Sequence, residues 1–92
     1  MGRTMAERRV TVASKVGLHA RPAALLAKAA SVQSVEITIR KDGGQEVEAS
    51  SILGLMTLGA AQGDEVVLYA EGDGADAALD HLAELVGAEL DN

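Results

Sequence analysis

Apolar and polar residues alternate with two different periods along this chain of 92 residues. Residues 35–40 form the clearest strand pattern, because β-branched residues occupy every second position and polar residues lie between them. Residues 75–88 have the spacing of a helix with one apolar stripe and a polar face. That stripe consists of Ala75, Ala78, Leu79, Leu82 and Val86.

The same periods divide the chain into four strands and three helices in the order β-α-β-β-α-β-α. The predicted strands cover residues 8–13, 35–40, 45–49 and 65–70, and the predicted helices cover residues 20–31, 51–58 and 75–88. The strand at 65–70 is almost continuously apolar, which favours a central place in the sheet. Asp73 is the expected N-cap of the last helix, and Ser50 or Ser51 that of the second.

One apolar face on each strand and one apolar stripe on each helix predict a two-layer fold. The simplest arrangement is an α+β open-faced sandwich, in which three helices cover one face of a four-stranded, mostly antiparallel sheet. The other face, with Thr11, Glu36 and Thr38, is expected to meet water. Residues 1–6 are predicted to be a loose N-terminal extension and residues 7–92 a single domain, since so short a chain builds one core.

Composition narrows the classes of partner and site. A net charge of −6 disfavours binding to nucleic-acid phosphates or an anionic membrane. No apolar run approaches the ~20 residues that a membrane span needs, and residues 1–9 are too polar for a signal peptide. The chain has no cysteine and only two histidines, of which His81 lies outside the apolar stripe of the last helix. We therefore expect a cytoplasmic protein without metal or cofactor.

Residues 17–23 concentrate the chemistry of the chain: they read Gly-Leu-His-Ala-Arg-Pro-Ala. Pro22 suits the first turn of a helix, so His19 lies at or just before the N-terminus of the first helix. The first amides of a helix have no intrahelical partner and carry the positive end of its dipole, which favours an anion. Arg21 adds a cation whose planar fork matches phosphate oxygens. A nucleophilic imidazole, free amides and an arginine therefore converge where an anion would be stabilised.

These residues resemble the active-site motif of the HPr family, the histidine-containing phosphocarriers of the bacterial phosphoenolpyruvate-dependent sugar phosphotransferase system. Residues 51–59, Ser-Ile-Leu-Gly-Leu-Met-Thr-Leu-Gly, resemble the family's second recognisable segment. The resemblance implies an open-faced sandwich with His19 and the second helix on one side of the molecule. It also implies that enzyme I phosphorylates His19 on Nδ1 and that sugar-specific IIA domains then take the group. The protein is then a covalent carrier between enzymes and not itself an enzyme.

The resemblance also assigns roles to individual residues. The implied phosphate-binding residues are Gly17, Ala20 and Arg21. The implied docking surface for partners consists of Ala20, Ile52, Leu53 and Met56, whereas Leu55 and Leu58 are expected in the core. Ser51 matches a position that a regulatory serine kinase phosphorylates in many Gram-positive relatives, and its structural interpretation is a helix N-cap.

One position departs from the family pattern. The residue two before Leu18 is often small and polar and reaches the phosphate, but here it is Val16, whose side chain cannot hydrogen-bond. Ser14 and Lys15 are near enough in sequence to substitute for it. Two other functions stay open: an HPr-like regulatory paralogue of a nitrogen-related branch, and a non-catalytic interaction domain in which His19 does no chemistry. A monomer is expected for a small acidic carrier that must expose its site to large partners in turn.

Overall fold

The computed structural model describes residues 5–88, which form a four-stranded antiparallel sheet and three helices. The strands are β1 (Met5–Thr11), β2 (Ile37–Lys41), β3 (Val47–Glu48) and β4 (Glu65–Glu71). The helices are α1 (Ala20–Ser31), α2 (Ile52–Thr57) and α3 (Ala75–Val86). The predicted fold class and the predicted order of elements are both confirmed.

The sheet has the strand order β1-β4-β2-β3, so β4 is central, as its apolar sequence predicts. Alternate residues of β4 point toward the helices and are buried, with Leu68 between Arg8 of β1 and Ile39 of β2. Val67 points to the opposite face and is nevertheless buried. Its cross-strand neighbours are Arg9 and Arg40, and the long aliphatic stem of an arginine can cover apolar surface.

One apolar cluster joins the inner face of the sheet to the helices. All five residues of the stripe predicted on α3 are buried in it. The buried residues of α1 are small or branched: Pro22, Ala23, Leu26, Ala27 and Ala30. None of the three helices in the described part of the chain is both long and apolar enough to cross a bilayer.

Arg8 is a charged residue on the helix-facing side of β1, and it pairs with α3. Its guanidinium donates hydrogen bonds to Asp76 Oδ1 at 3.0 Å and to Asp80 Oδ1 at 2.9 Å. These two bonds, with Asp76 the stronger influence, raise the pKa of Arg8 above its ordinary value. The pairing fastens the edge strand to the helix that packs on it.

The boundary predicted for the N-terminal extension is wrong at two residues. β1 begins at Met5, and Ala6 is buried in the core cluster, so both belong to the folded unit. Pairing with Glu71 and Ala70 of the central strand extends β1 in this direction, and no local signal in the sequence reveals such a pairing. Residues 1–4 and 89–92, which the predicted extension and domain include, lie outside the described residues.

Further differences concern the bounds of elements and their caps: β1 ends at Thr11 and α3 at Val86, each two residues earlier than predicted. β2 begins two residues later than predicted, and β3 is shortened to two residues. The predicted N-cap of α3, Asp73, is wrong: Gly74 is the N-cap, at φ +87°, a left-handed conformation that glycine adopts without strain. Ser51 is confirmed as the N-cap of α2, because its Oγ accepts a hydrogen bond from the Gly54 amide at 3.0 Å.

Residues 12–18, here called the site loop, connect β1 to α1 and lie against residues 60–64, here called the 60–64 loop. The Val12 amide donates to the carbonyl of Asp64 at 2.9 Å, and the Gly63 amide donates to the carbonyl of Val12 at 2.9 Å. At the other end, the Leu18 amide donates to the carbonyl of Ala60 at 3.0 Å. Backbone bonds therefore hold both ends of the site loop.

Gly17 allows the site loop to approach the 60–64 loop so closely. Its φ is +67°, and a Cβ at this position would lie 2.3 Å from the carbonyl oxygen of Ala60. Gly59 has nearly the same φ, +66°, but nothing lies within 4 Å of where its Cβ would be. Substitutions at these two glycines therefore distinguish the free-energy cost of a positive φ from the cost of a steric clash with Ala60.

Asp64 organises the 60–64 loop. Its Oδ2 accepts a hydrogen bond from the Ala61 amide at 2.9 Å and lies 3.4 Å from Lys41 Nζ. The Ala61 amide is the larger cause, and the Lys41 charge a smaller one, of a pKa for Asp64 below the ordinary value of an aspartate. The charged form of Asp64 is therefore the one that stabilises the loop.

We expect Gly17→Ala to destabilise the protein more than Gly59→Ala. A left-handed alanine costs roughly 1–2 kcal/mol at either position, and overpacking against Ala60 adds roughly 1–3 kcal/mol at position 17 only. Equilibrium urea unfolding of both variants measures the difference. Equal losses in the free energy of unfolding would contradict the close contact at Gly17.

We also expect Asp64→Asn to change how stability depends on pH. A folded pKa below the unfolded one means that Asp64 adds stability above its unfolded pKa and loses it as pH falls through the folded pKa. The variant should thus be less stable than the unmodified protein at pH 7, and the gap should close as the pH falls below about 4. Urea unfolding between pH 7 and pH 2 tests this, with Asp73→Asn, an exposed aspartate before α3, as control. A gap that stays constant over this range argues against the assignment.

Candidate functional site

His19 is the N-cap of α1 and its side chain is exposed. Its backbone is extended, with φ −93° and ψ −167°, and its carbonyl accepts the first helical hydrogen bond, from the Ala23 amide at 2.8 Å. The imidazole makes no capping hydrogen bond to the helix. The ring is therefore accessible from solvent, and it lacks the hydrogen bond to a helix amide that usually holds an N-cap side chain.

Ala20 and Arg21 follow His19 as the first two residues of α1, and both are exposed. The helix offers no acceptor to their amides, because the first amides of any helix lack an intrahelical partner. Pro22, the third residue, is buried and has no N–H. No acidic residue lies in this first turn. The positive end of the helix thus faces the same solvent as the His19 ring, and no carboxylate in the first turn of α1 neutralises it.

Gly17 lies two residues before His19 and is buried. Its amide donates to the carbonyl of Ser14 at 2.9 Å and is therefore already engaged within the site loop. What Gly17 contributes in the described structure is the left-handed turn that seats Leu18 on Ala60. Sequence reasoning identified the residue but not this role.

Ser14 and Lys15 are the residues near Val16 that were expected to replace the polar side chain usual at its position. Val16 itself is 55% exposed. Ser14 is only 1% exposed, and its Oγ is buried without a hydrogen-bond partner. The expectation that Ser14 could replace the polar side chain is therefore wrong, because a buried hydroxyl cannot meet a phosphate on an exposed ring. Lys15 is exposed.

The second predicted segment lies on α2, which packs against α1. Ile52 is 44% and Leu53 76% exposed, and Met56 is half-buried. Leu55 is fully buried, as predicted, whereas Leu58 is half-buried at the edge of the core. The hydrogen bond between Leu18 and Ala60 joins the segment just before His19 to the segment just after α2. Tertiary structure thus brings the two sequence motifs together on one side of the molecule.

Ser51 is half-buried at the start of α2, with its hydroxyl engaged by the Gly54 amide. His81, by contrast, is exposed on α3, as expected for a surface residue. Neither histidine belongs to a group of metal-ligating side chains in the part of the chain that the structure describes.

Charge is distributed unevenly along the chain. The chain carries 14 acidic residues, but none falls within residues 10–35 or 49–63, which include the site loop, α1 and α2. The cations Lys15, Arg21 and Lys28 do fall there. In a protein of net charge −6, the segments that carry His19 and α2 therefore contribute no carboxylate of their own.

Comparison with known proteins gives a consistent result. A family model described as the PTS HPr component phosphorylation site matches residues 6–88. The chain is 48% identical over 87 residues to the phosphocarrier protein HPr of Streptomyces coelicolor, covering 95% of this chain and 94% of that protein. It is 46% identical over 88 residues to the phosphocarrier protein NPr of Shewanella violacea, covering 96% of each.

A solved structure supports the same relationship. The crystal structure of the phosphocarrier protein HPr from Bacillus anthracis superposes with a TM-score of 0.84 at 43% identity, covering 89% of this chain and 96% of that chain. Sequence, fold and the exposed histidine at the helix N-terminus agree. The chain belongs to the HPr family of phosphocarrier proteins of the phosphotransferase system.

Proposed function

We propose that this protein accepts a phosphoryl group on His19 from enzyme I and passes it to sugar-specific IIA domains, acting as a cytoplasmic monomer. The observation that carries the proposal is the exposed His19 ring at the uncapped N-terminus of α1. Because the imidazole of His19 makes no capping hydrogen bond to the helix, a ring nitrogen is available to form a bond to phosphorus.

For phosphoryl transfer the carrier must supply a nucleophile and groups that stabilise the negative charge of the phosphoryl oxygens. The lone pair of one ring nitrogen forms the bond to phosphorus as the bond to the donor breaks, while the other ring nitrogen keeps its proton. Phosphoryl transfer proceeds through a loose transition state, so positioning and electrostatic stabilisation dominate. The amides of Ala20 and Arg21 and the guanidinium of Arg21 supply that stabilisation for the phosphoryl oxygens.

The docking surface in this proposal consists of Ala20, Ile52, Leu53 and Met56. Exposed apolar side chains grouped beside a reactive residue are typical of a protein-binding site, and a methionine adapts to more than one partner. The absence of carboxylates from residues 10–35 and 49–63 supports partners with acidic rims, because complementary charge accelerates encounter. The same absence disfavours partners with basic rims.

We extend the proposal to Ser51 as a site of regulation by a serine kinase. Its hydroxyl is half-buried and bonded to the Gly54 amide, so a kinase would have to displace the cap of α2. A phosphate there would lie beside Ile52 in the docking surface and would repel acidic partners. Regulation would thus act on docking and leave His19 itself unmodified.

A second candidate is an HPr-like carrier of a nitrogen-related branch. The chain is almost as similar to the phosphocarrier NPr of Shewanella violacea as to the HPr of Streptomyces coelicolor. Both candidates use His19 in the same way and differ in the acceptor. Offering the phosphorylated protein to a sugar-specific and a nitrogen-branch IIA domain in parallel separates them, since the faster transfer identifies the branch.

Incubation with enzyme I and radiolabelled phosphoenolpyruvate should place one acid-labile label on the protein. We expect His19→Ala to abolish the label, because the nucleophile is gone, and His81→Ala to keep it, because His81 lies exposed on α3. Gel autoradiography before and after mild acid measures both. A protein that takes no label, or a label that persists in His19→Ala, would count against the carrier and in favour of a non-catalytic interaction domain.

Leu53→Glu should weaken docking without unfolding the protein, because the side chain is 76% exposed. A carboxylate facing an acidic rim should raise the KM of enzyme I for this protein about tenfold, equivalent to about 1.4 kcal/mol, with kcat nearly unchanged. Met5→Glu is the matched control, since it adds the same charge at an exposed apolar position at the far end of β1. If Leu53→Glu and Met5→Glu have the same KM, α2 is not the docking surface.

A further inference from the structure

Gln62 is an exposed residue of the 60–64 loop whose side chain reaches the site loop. Its Nε2 donates a hydrogen bond to the carbonyl oxygen of Ala13 at 3.1 Å, between residues that are 49 positions apart in sequence. Ala13 is in turn bonded through its own amide to the carbonyl of Val86, at the end of α3, at 3.1 Å. Gln62 thus contributes to fixing the peptide unit at the beginning of the segment that leads to His19.

This side-chain contact completes a series of backbone contacts between the same two loops. Val12 exchanges hydrogen bonds with Gly63 and Asp64, and Leu18 donates to Ala60. Those backbone bonds hold Val12 and Leu18 at the two ends of the site loop, and Gln62 adds a side-chain bond at Ala13, next to the first end. Between Ala13 and Leu18, the Gly17 amide closes a tight turn on the carbonyl of Ser14. A shift at Ala13 would therefore be passed on through a short turn to Leu18 and His19.

The 60–64 loop, which carries Gln62, is itself held by contacts of Asp64 and Lys41. Asp64 Oδ2 accepts the Ala61 amide, and Lys41 Nζ lies 3.4 Å from both Asp64 Oδ2 and the carbonyl oxygen of Gly59. The lowered pKa of Asp64 agrees with a carboxylate that is engaged in the folded state. The donor on Gln62 is consequently presented from a fixed loop.

The position of the site loop matters because His19 has no capping bond to fix its ring. The geometry between the imidazole and the amides of Ala20 and Arg21 depends on the backbone that enters α1. Misplacement of a reacting group by about 1 Å can cost about a hundredfold in rate. We infer that Gln62 is a positioning residue for phosphoryl transfer at His19, acting through Ala13 and the site loop. This inference rests on the proposed phosphocarrier function.

The decisive comparison is between Gln62→Met, which keeps the length of the side chain but removes the donor, and Gln62→Lys, which keeps a donor. With enzyme I, Gln62→Met should lower kcat about five- to tenfold and leave KM within a factor of about two, the reverse of the pattern for Leu53→Glu. Gln62→Lys should restore most of kcat. Gln45→Met, at an exposed glutamine after the turn that follows β2, is the matched control and should behave as the unmodified protein.

Amide hydrogen exchange supplies a readout that does not need a partner. The Leu18 amide is bonded to Ala60 across the two loops, so its exchange should accelerate in Gln62→Met and not in Gln45→Met. Urea unfolding of each variant shows that the fold is retained.

The outcomes are distinct. An unmodified protein that takes no label from enzyme I overturns the proposed function and this inference with it. A labelled unmodified protein together with an unchanged kcat in Gln62→Met overturns the inference alone. Equal losses of kcat in Gln62→Met and Gln62→Lys also overturn it, because the hydrogen-bond donor would then not be the cause. A loss in Gln62→Met, recovery in Gln62→Lys and faster exchange at Leu18 support it.

Discussion

The contact between the site loop and the 60–64 loop is the constraint on which the rest of the site depends. The Leu18 amide is bonded to the carbonyl of Ala60, and Gly17 comes so near the same carbonyl that no Cβ fits between them. Because Leu18 is buried and directly precedes His19, this contact sets where α1 begins. It also sets how α1 lies beside the segment that follows α2. The His19 ring, the helix amides and the apolar surface of α2 share one side of the molecule for this reason.

Charge is distributed unevenly along the chain. Every acidic residue lies outside residues 10–35 and 49–63, which include the site loop, α1 and α2. Several acidic residues are paired: Arg8 with Asp76 and Asp80, and Arg9 with Asp42 and Glu65. Exposed ion pairs of this kind add little stability individually. Asp64 is a carboxylate of the 60–64 loop, and the Ala61 amide and Lys41 engage it there.

The core shows how an almost non-aromatic sequence fills this fold. Tyr69 is the only aromatic residue, and Leu, Val, Ile and Ala make up the buried cluster. Small residues line the buried side of α1. In this arrangement the open face of the sheet needs no second layer, since its apolar Val67 lies between Arg9 and Arg40.

Local pattern was sufficient for the order of the elements and for the place of His19 at the start of a helix. The stripe on α3, the central place of β4 and the cap at Ser51 are local properties, because period, run length and capping residue act over a few neighbouring positions. The start of β1 at Met5, the cap at Gly74 and the occupied amide of Gly17 depend on distant partners and could not be predicted in that way. Gln62 carried no signal at all, since an exposed glutamine is ordinary until its partner is known. The sequence by itself determined that a histidine stands at the start of α1, and only the tertiary structure decided what holds that residue in place, because hydrogen bonds between loops far apart in sequence form only when the chain has folded.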